Sequence, residues 1–291
     1  MDFRVDPLSG RLVAVAPARA KRPGAEGGFQ LDPETRDERE KCPFCEGRED
    51  QTPPESFALP AGRDPDTPGW KVRVVPNKYP AFERQEVVVH APEHVRSLAE
   101  LDAGQVELVA QAWRARAAAA RAEGFPHLFV CVNEGKLAGS SLPHSHSQLV
   151  WLHDEPPVQA GEHDGGCRVC ALLERERAEG TRVVTETNGL VLLCPYAGRA
   201  PYECLIAPVE HEGDGFESDG LAGALALAAD ALRRLGELRG PPPANLWLHN
   251  GDHWHVELLP RLSVFAGVEL GSGHYVNSLA PEQAAENLRG V

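Results

Sequence analysis

Apolar positions along the chain follow two rhythms. Short β-prone runs bounded by Pro, Gly and Asn mark strands at Leu12 to Val15, Lys71 to Val75, Glu86 to His90, Leu190 to Cys194 and Glu203 to Ala207. Between them lie segments of helical period. Asp102 followed by Gln105 resembles a capping box, and Val106, Val109, Ala110, Trp113 and Ala117 recur on one helix face up to Gly124. A second long helix is expected around Leu221 to Leu238, so a helix of about five turns follows each β region. Residues 1 to 23 read as strand, turn and strand, with Asp6-Pro7-Leu8-Ser9-Gly10 as the turn and a basic knot from Ala18 to Pro23 at the end. Residues 24 to 68, rich in Gly, Pro and charge, read as a long loop that needs a staple.

One stretch, Cys131 to Trp151, concentrates the chemistry. Beyond Pro143, His144, His146 and Gln148 alternate with Ser145, Ser147 and Leu149, the period of an extended strand, so three polar side chains share one wall. A chance His-x-His on an exposed loop is the bland alternative, and the rest of the chain weighs against it. The second half repeats the order of the first. Cys42 pairs with Cys167, His94 with His211, and His144-x-His146-x-Gln148 with His253-x-His255-x-Glu257, and the spacing between partners shrinks only slowly. Ordered coincidences of this kind indicate a duplicated unit. The Gly/Asp/Glu-rich stretch near residues 154 to 166 is the expected boundary, giving modules 1–155 and 156–291.

Composition narrows the function. With 29 basic against 43 acidic residues the formal charge is -14, which argues against a nucleic-acid partner but leaves room for a small phosphate ligand held by a few local donors. No apolar run approaches the roughly 18 residues that span a bilayer, and the first residues lack the apolar core of a signal peptide, so a cytoplasmic location is expected. Seven cysteines in such a chain fit thiols or metal ligands better than disulfides.

Two Cys-x-x-Cys pairs, each with two distant histidines, supply the donor set of a closed tetrahedral metal site: Cys42, Cys45, His94 and His144, then Cys167, Cys170, His211 and His253. With four protein ligands such sites are structural. Two other readings stay open at this level: redox-active cysteine pairs, and one metal shared by all four cysteines as a ribbon. Two metals per chain would favour separate sites, one the ribbon.

Asp-Pro-Leu-Ser-Gly-Arg (6 to 11), Ala-Arg-Ala-Lys-Arg-Pro (18 to 23), Cys-Pro-Phe-Cys (42 to 45), Val-Pro-Asn-Lys-Tyr-Pro-Ala (75 to 81), Ala-Pro-Glu-His (91 to 94), Asn-Glu-Gly (133 to 135) and Gly-Ser-Ser-Leu-Pro-His-Ser-His-Ser-Gln (139 to 148) together resemble the galactose-1-phosphate uridylyltransferase family of the histidine-triad superfamily. The tail segments 266 to 270 and 280 to 286 are similar to that family's tail. The resemblance implies an α+β fold of two histidine-triad-like modules, each an antiparallel sheet with a long helix, joined as an internal pseudo-dimer, and a homodimer of whole chains.

It further implies double-displacement nucleotidyl transfer between UDP-glucose and a hexose 1-phosphate, with His146 as the nucleophile and Gln148 donating to a phosphate oxygen. Arg19, Arg22, Asn77, Asn133, Gly139 and Ser141 match family contacts to nucleotide, phosphate or sugar, and Glu269, Tyr275 and Asn277 match its hexose-holding tail. The implied metal is Zn2+ in two sites per chain, the second of which could instead hold iron. Ser145 and Ser147 replace the Pro and Gly common in the family motif, and Glu257 replaces Gln in the repeat, where a carboxylate would repel phosphate. The second half is therefore expected to be catalytically silent, with His249 and His255 as ordinary strand histidines or partial metal ligands. Two alternatives accompany this reading: an ADP-glucose phosphorylase or related nucleoside-diphosphate-sugar phosphorylase, and a zinc-stapled binding module without turnover.

Overall fold

A computed structural model describes residues 2–21, 29–163 and 166–291. The strands are β1 (Asp2–Val5), β2 (Leu12–Val15), β3 (Phe57–Leu59), β4 (Val72–Pro76), β5 (Arg84–Val89), β6 (His127–Glu134), β7 (His146–Leu152), β8 (Val183–Thr187), β9 (Leu190–Leu193), β10 (Cys204–Pro208), β11 (Ala244–His249), β12 (His255–Pro260) and β13 (His274–Asn277). The helices are α1 (Arg36–Lys41), α2 (Ala103–Ala122), α3 (Pro157–Ala160), α4 (Arg168–Glu179), α5 (Leu221–Arg239), α6 (Gly267–Ser272) and α7 (Pro281–Arg289).

Ten strands form one sheet in the order β3-β4-β5-β7-β6-β11-β12-β10-β9-β8, and every neighbouring pair is antiparallel. The order reads alike from both edges: β7 sits one place from the central β6–β11 seam on one side, as β12 does on the other. The two halves of the chain thus build one continuous mixed α+β layer. A small second sheet joins the β1–β2 hairpin in antiparallel register to β13 in parallel register, so the chain's tail lies against its N-terminal hairpin.

Both long helices pack on the same face of the large sheet. Val106, Val109, Trp113 and Ala117 of α2 and Leu221, Ala224, Leu225 and Leu232 of α5 share one core with Val74, Val88, Val130, Leu149, Leu192, Ile206 and Val256. The Asp102 carboxylate accepts from Gln105 N at 2.8 Å and caps α2, as the capping-box reading expects. A buried two-point ion pair, Arg116 of α2 to Glu86 of β5 (2.8 and 3.0 Å), fixes the helix over the strand. Side-chain alternation sends Val75, Val87 and Val89 to the opposite face, where they bury Cys42, Phe44 and Trp70 in a separate small cluster.

Three stretches carry structure that the sequence reading did not specify. The loop 24 to 68 contains α1, a 3-10 turn at Glu49–Gln51 and β3. Helix α1 starts because Thr35 Oγ1 accepts from Glu38 N at 3.1 Å, a local cap hidden in a charge-rich stretch. Cys167-x-x-Cys170 opens α4, with Cys167 Sγ accepting from Cys170 N at 3.3 Å. The boundary stretch also carries structure, α3 and a 3-10 turn at Gly161–His163, and its Glu162 is buried. No helix among the described residues is long and apolar enough to cross a membrane.

Candidate active site

Antiparallel pairing places β7 between β5 and β6, with His146 opposite Val89, and Gln148 opposite Val87 on one side and Cys131 on the other. His144, His146 and Gln148 therefore face away from the helices, as their alternation predicts. His146 keeps 5 % exposure. Its Nδ1 lies 2.7 Å from the His144 carbonyl, which only accepts, so Nδ1 carries the hydrogen and Nε2 the lone pair. Among the described residues Nε2 has no hydrogen-bond partner. Burial lowers the ring below the usual histidine range, which keeps it neutral near pH 7. The Phe44 ring meets the His146 ring edge-on at 5.3 Å, so the Cys-Pro-Phe-Cys loop also positions this imidazole.

Gln148 is oriented by a partner that sequence reasoning missed. Ala81 N donates to Gln85 Oε1 at 3.0 Å, which turns Gln85 Nε2 toward Gln148 Oε1, also at 3.0 Å. The Gln148 amide hydrogens are then left for the site. Only the strand pairing brings Gln85 and Gln148 together.

Both Cys/His groups converge. In each, the four ligand atoms lie within 4.8 Å of one another. Cys42 Sγ is 3.3 Å from His144 Nδ1, Cys45 Sγ is 3.4 and 3.7 Å from His94 and His144 Nδ1, and Cys170 Sγ is 3.2 Å from Nδ1 of both His211 and His253. A tetrahedral ion with metal–sulfur bonds of about 2.3 Å and metal–nitrogen bonds of about 2.0 Å needs sulfur and nitrogen roughly 3.5 Å apart. The other ring nitrogens are held as a metal site requires. His144 Nε2 donates to the Ala91 carbonyl (2.9 Å) and His253 Nε2 to the Pro208 carbonyl (3.0 Å), while His94 and His211 turn Nε2 to Glu38 (3.1 Å) and Asp252 (3.7 Å). Burial pushes Cys45 up to about 12 and Cys170 up to about 11, so paired thiolates there require a compensating cation. The residues present fit an ion in each group, and the two groups are separate, which removes the shared four-cysteine ribbon.

The matching wall of the second half is differently filled. His255 has no exposure, and its sealed Nε2 has no hydrogen-bond partner among the described residues, with carboxylate oxygens of Glu162 and Glu257 at 3.9 and 4.0 Å. Glu257 is ion-paired to Arg199, whose guanidinium, against the upward push of burial, holds the carboxyl down at about 2. His249 stacks on His255 at 4.5 Å, accepts from Trp247 Nε1 at 2.6 Å and donates from Nδ1 to Glu162 at 2.8 Å. Glu162, His249 and His255 also converge. Glu162 comes from the stretch read as a bare boundary, which is why sequence reasoning overlooked it.

The remaining expected site residues scatter. Asn133 lies on the same face as His146 and accepts from Asn245 Nδ2 at 2.7 Å across the central seam. Gly139 (φ 87°) and the exposed Ser141 sit in the loop before β7. That loop leaves β6 through Gly135 (φ 79°), where a Cβ would stand 2.6 Å from Leu31 Cδ2. Asn77 follows β4, and Arg19 is exposed in a 3-10 turn at Pro17–Lys21. Arg22 lies outside the described residues. Glu269 accepts from Ala266 N at 2.8 Å at the start of α6, and Tyr275 packs edge-on to Phe265 at 5.1 Å. Asn277 differs from expectation. It is 1 % exposed, donates to the Gly198 and Ala200 carbonyls and accepts from Leu279 N, so its amide is spent on the fold rather than offered to a hexose.

Glu134, at the end of β6, supports the turn before β7 from inside. Burial pushes its carboxyl up to about 7, although Ser97 Oγ and Leu98 N each donate to it at 2.6 Å. A raised carboxyl favours the fold in its neutral form, so this contribution is full below the unfolded value of 4.5 and is lost as pH rises through about 7. Relative to Glu134→Gln, the wild type is expected to lose up to roughly 3 kcal/mol of stability between about pH 5 and 8. Parallel melting curves for the two proteins across that range would contradict the assignment.

The fold and its relatives define an enzyme of the nucleotidyl-transferring kind. Residues 78–157 match the family described as galactose-1-phosphate uridyl transferase, N-terminal domain. The chain is 30% identical to an ADP-glucose phosphorylase of Arabidopsis thaliana over 100% of its own length and 93% of that protein's, and 28% identical to a galactose-1-phosphate uridylyltransferase of Thermotoga maritima over 99% and 98%. A crystal structure of an Arabidopsis thaliana ADP-glucose phosphorylase with bound ADP-glucose superposes with TM-score 0.83 at 29% identity, covering 100% of this chain and 98% of that one. The chain belongs to the galactose-1-phosphate uridylyltransferase family.

Proposed function

We propose that the protein is a UDP-glucose–hexose-1-phosphate uridylyltransferase of galactose metabolism, working through a covalent uridylyl-histidine at His146. The observation that carries this reading is the His146 ring itself: Nδ1 is pinned to the His144 carbonyl, Nε2 has no hydrogen-bond partner among the described residues, and Gln148 stands two residues along the same face. The Nε2 lone pair attacks the α-phosphorus of the nucleotide sugar, the bond to the sugar-phosphate oxygen breaks, and glucose 1-phosphate leaves with the electron pair. Positive charge developing on the ring is stabilised through Nδ1–H and the carbonyl. Gln148 donates to a non-bridging oxygen as the phosphorus becomes five-coordinate. A phosphate oxygen of the second hexose 1-phosphate then attacks, the phosphorus–nitrogen bond breaks, and His146 returns neutral.

The remaining parts follow from the same reading. Arg19, Asn77, Asn133, Gly139 and Ser141 hold nucleotide and phosphates, Arg22 is their partner in the basic knot, and Glu269 and Tyr275 hold the hexose. Asn277 takes no part in binding. Zinc occupies both Cys2His2 groups as a structural ion, with iron as the alternative in the second. Residues 1–155 form the catalytic module and 156–291 a silent one, a division supported by the matching strand order and by the sealed His255. The chain works as a cytoplasmic homodimer, which sedimentation of the purified protein tests directly.

A second reading, ADP-glucose phosphorylase, is favoured by the 30% identity to a protein of that name along the whole chain. Product analysis separates the two. The first predicts UDP-galactose and glucose 1-phosphate from UDP-glucose plus galactose 1-phosphate. The second predicts ADP and glucose 1-phosphate from ADP-glucose plus inorganic phosphate. Turnover of neither pair, with or without added zinc, would overturn both.

A further inference from the structure

The inner face of β7 carries a polar network that the proposed chemistry does not use. Ser145 and Ser147 flank His146 in sequence but point the opposite way, into the core beneath α2. His90, which follows β5 and is fully buried, spans them: Nδ1 lies 2.9 Å from Ser145 Oγ, and Nε2 makes a short hydrogen bond with Ser147 Oγ. Trp113 of α2 donates to the same Ser147 hydroxyl at 2.9 Å. The main chain adds further ties. His90 N donates to the Ser145 carbonyl (3.2 Å), Ser145 N to the Val95 carbonyl (2.7 Å), and Gln105 Nε2 to the His90 carbonyl (2.5 Å).

We infer that His90 is a positioning residue for the nucleophile, an imidazole brace that fixes the pleat of residues 145–147 from behind and thereby sets where His146 Nε2 stands. This inference rests on the proposed role of His146. Ser145 and Ser147 are both buried, and a buried hydroxyl must find a partner. One rigid ring satisfies both. In either tautomer one serine donates to His90 and the other accepts, so the ring clamps two points of one strand. Because His146 is the residue between those points, a tilt of the segment moves its ring directly. A displacement near 1 Å is enough to lower a displacement reaction by about 10²-fold. On the outer face the His144 carbonyl and Phe44 hold the ring itself, whereas His90 holds the strand that carries it.

The test is the single-turnover rate at which His146 acquires a nucleoside monophosphate from a saturating nucleotide sugar, measured well below each variant's melting temperature. His90→Phe is expected to slow this step about 10- to 100-fold, to shift the half-saturating donor concentration less than about threefold, and to leave metal content at the wild-type value. His90→Gln, whose amide reaches one serine at a time, should fall between the two. If His90→Phe does not fold, Ser147→Ala removes one arm of the brace and is expected to slow the same step about tenfold. A folded His90→Phe or Ser147→Ala protein with a wild-type rate overturns the brace. Absence of the covalent intermediate in the wild type overturns instead the role given to His146.

Discussion

His146→Ala is expected to lose turnover by at least about 10³-fold with little change in donor binding. The ring is buried and meets Phe44 edge-on, but its one hydrogen bond among the described residues is Nδ1 to the His144 carbonyl, so turnover is compared well below the variant's melting temperature. The chemistry does not tolerate the loss of the ring: without the imidazole the double displacement has no first acceptor, and the remaining groups only bind. His255→Ala is the internal comparison. His255 is sealed, with no hydrogen bond to Nε2 among the described residues, and its companion Glu257 is neutralised by Arg199 rather than offering an amide donor. The account predicts that His255→Ala keeps activity within about threefold while changing stability. The reverse pattern would assign the chemistry to the wrong half.

The second large effect concerns the metal groups. Replacing Cys42 and Cys45 together by Ser should release one ion per chain, lower the melting temperature, and reduce activity by about 10²-fold or more. The reason is spatial. His144 is at once a proposed ligand and the source of the carbonyl that pins His146 Nδ1, and the loop between the two cysteines carries Phe44 against the proposed nucleophile. Loss of the ion therefore loosens both supports of the reactive ring. Replacing Cys167 and Cys170 should release the other ion and lower the melting temperature similarly, yet leave activity near that of the wild type, because His253 supports the sealed His255 instead. Metal analysis beside melting and activity separates these outcomes; equal loss of activity from both pairs would contradict the division of labour.

Much of this was legible in sequence because the signals are local or repeated. Period-two alternation placed His144, His146 and Gln148 on one face, helical period and Asp102 located α2, and the ordered repeat of Cys and His landmarks foresaw two convergent Cys/His groups. Residues brought together only by strand pairing were not legible. Gln85 orients Gln148 from β5, His90 reaches Ser145 and Ser147 from the end of the same strand, and Glu162 enters the second half from a stretch that looked like a linker. Their partners are set by register, which no short window contains. Asn277 misled for a related reason: its place in a tail motif says nothing of the two carbonyls that occupy its amide.

The central claim is a covalent bond between phosphorus and His146. Intact-mass measurement after mixing the protein with UDP-glucose or ADP-glucose, with no acceptor present, followed by fragment mapping, reads it directly. The account predicts a gain of one nucleoside monophosphate per chain, located on His146 and discharged by adding the acceptor. Full turnover with no adduct, or an adduct on any other residue, would contradict it.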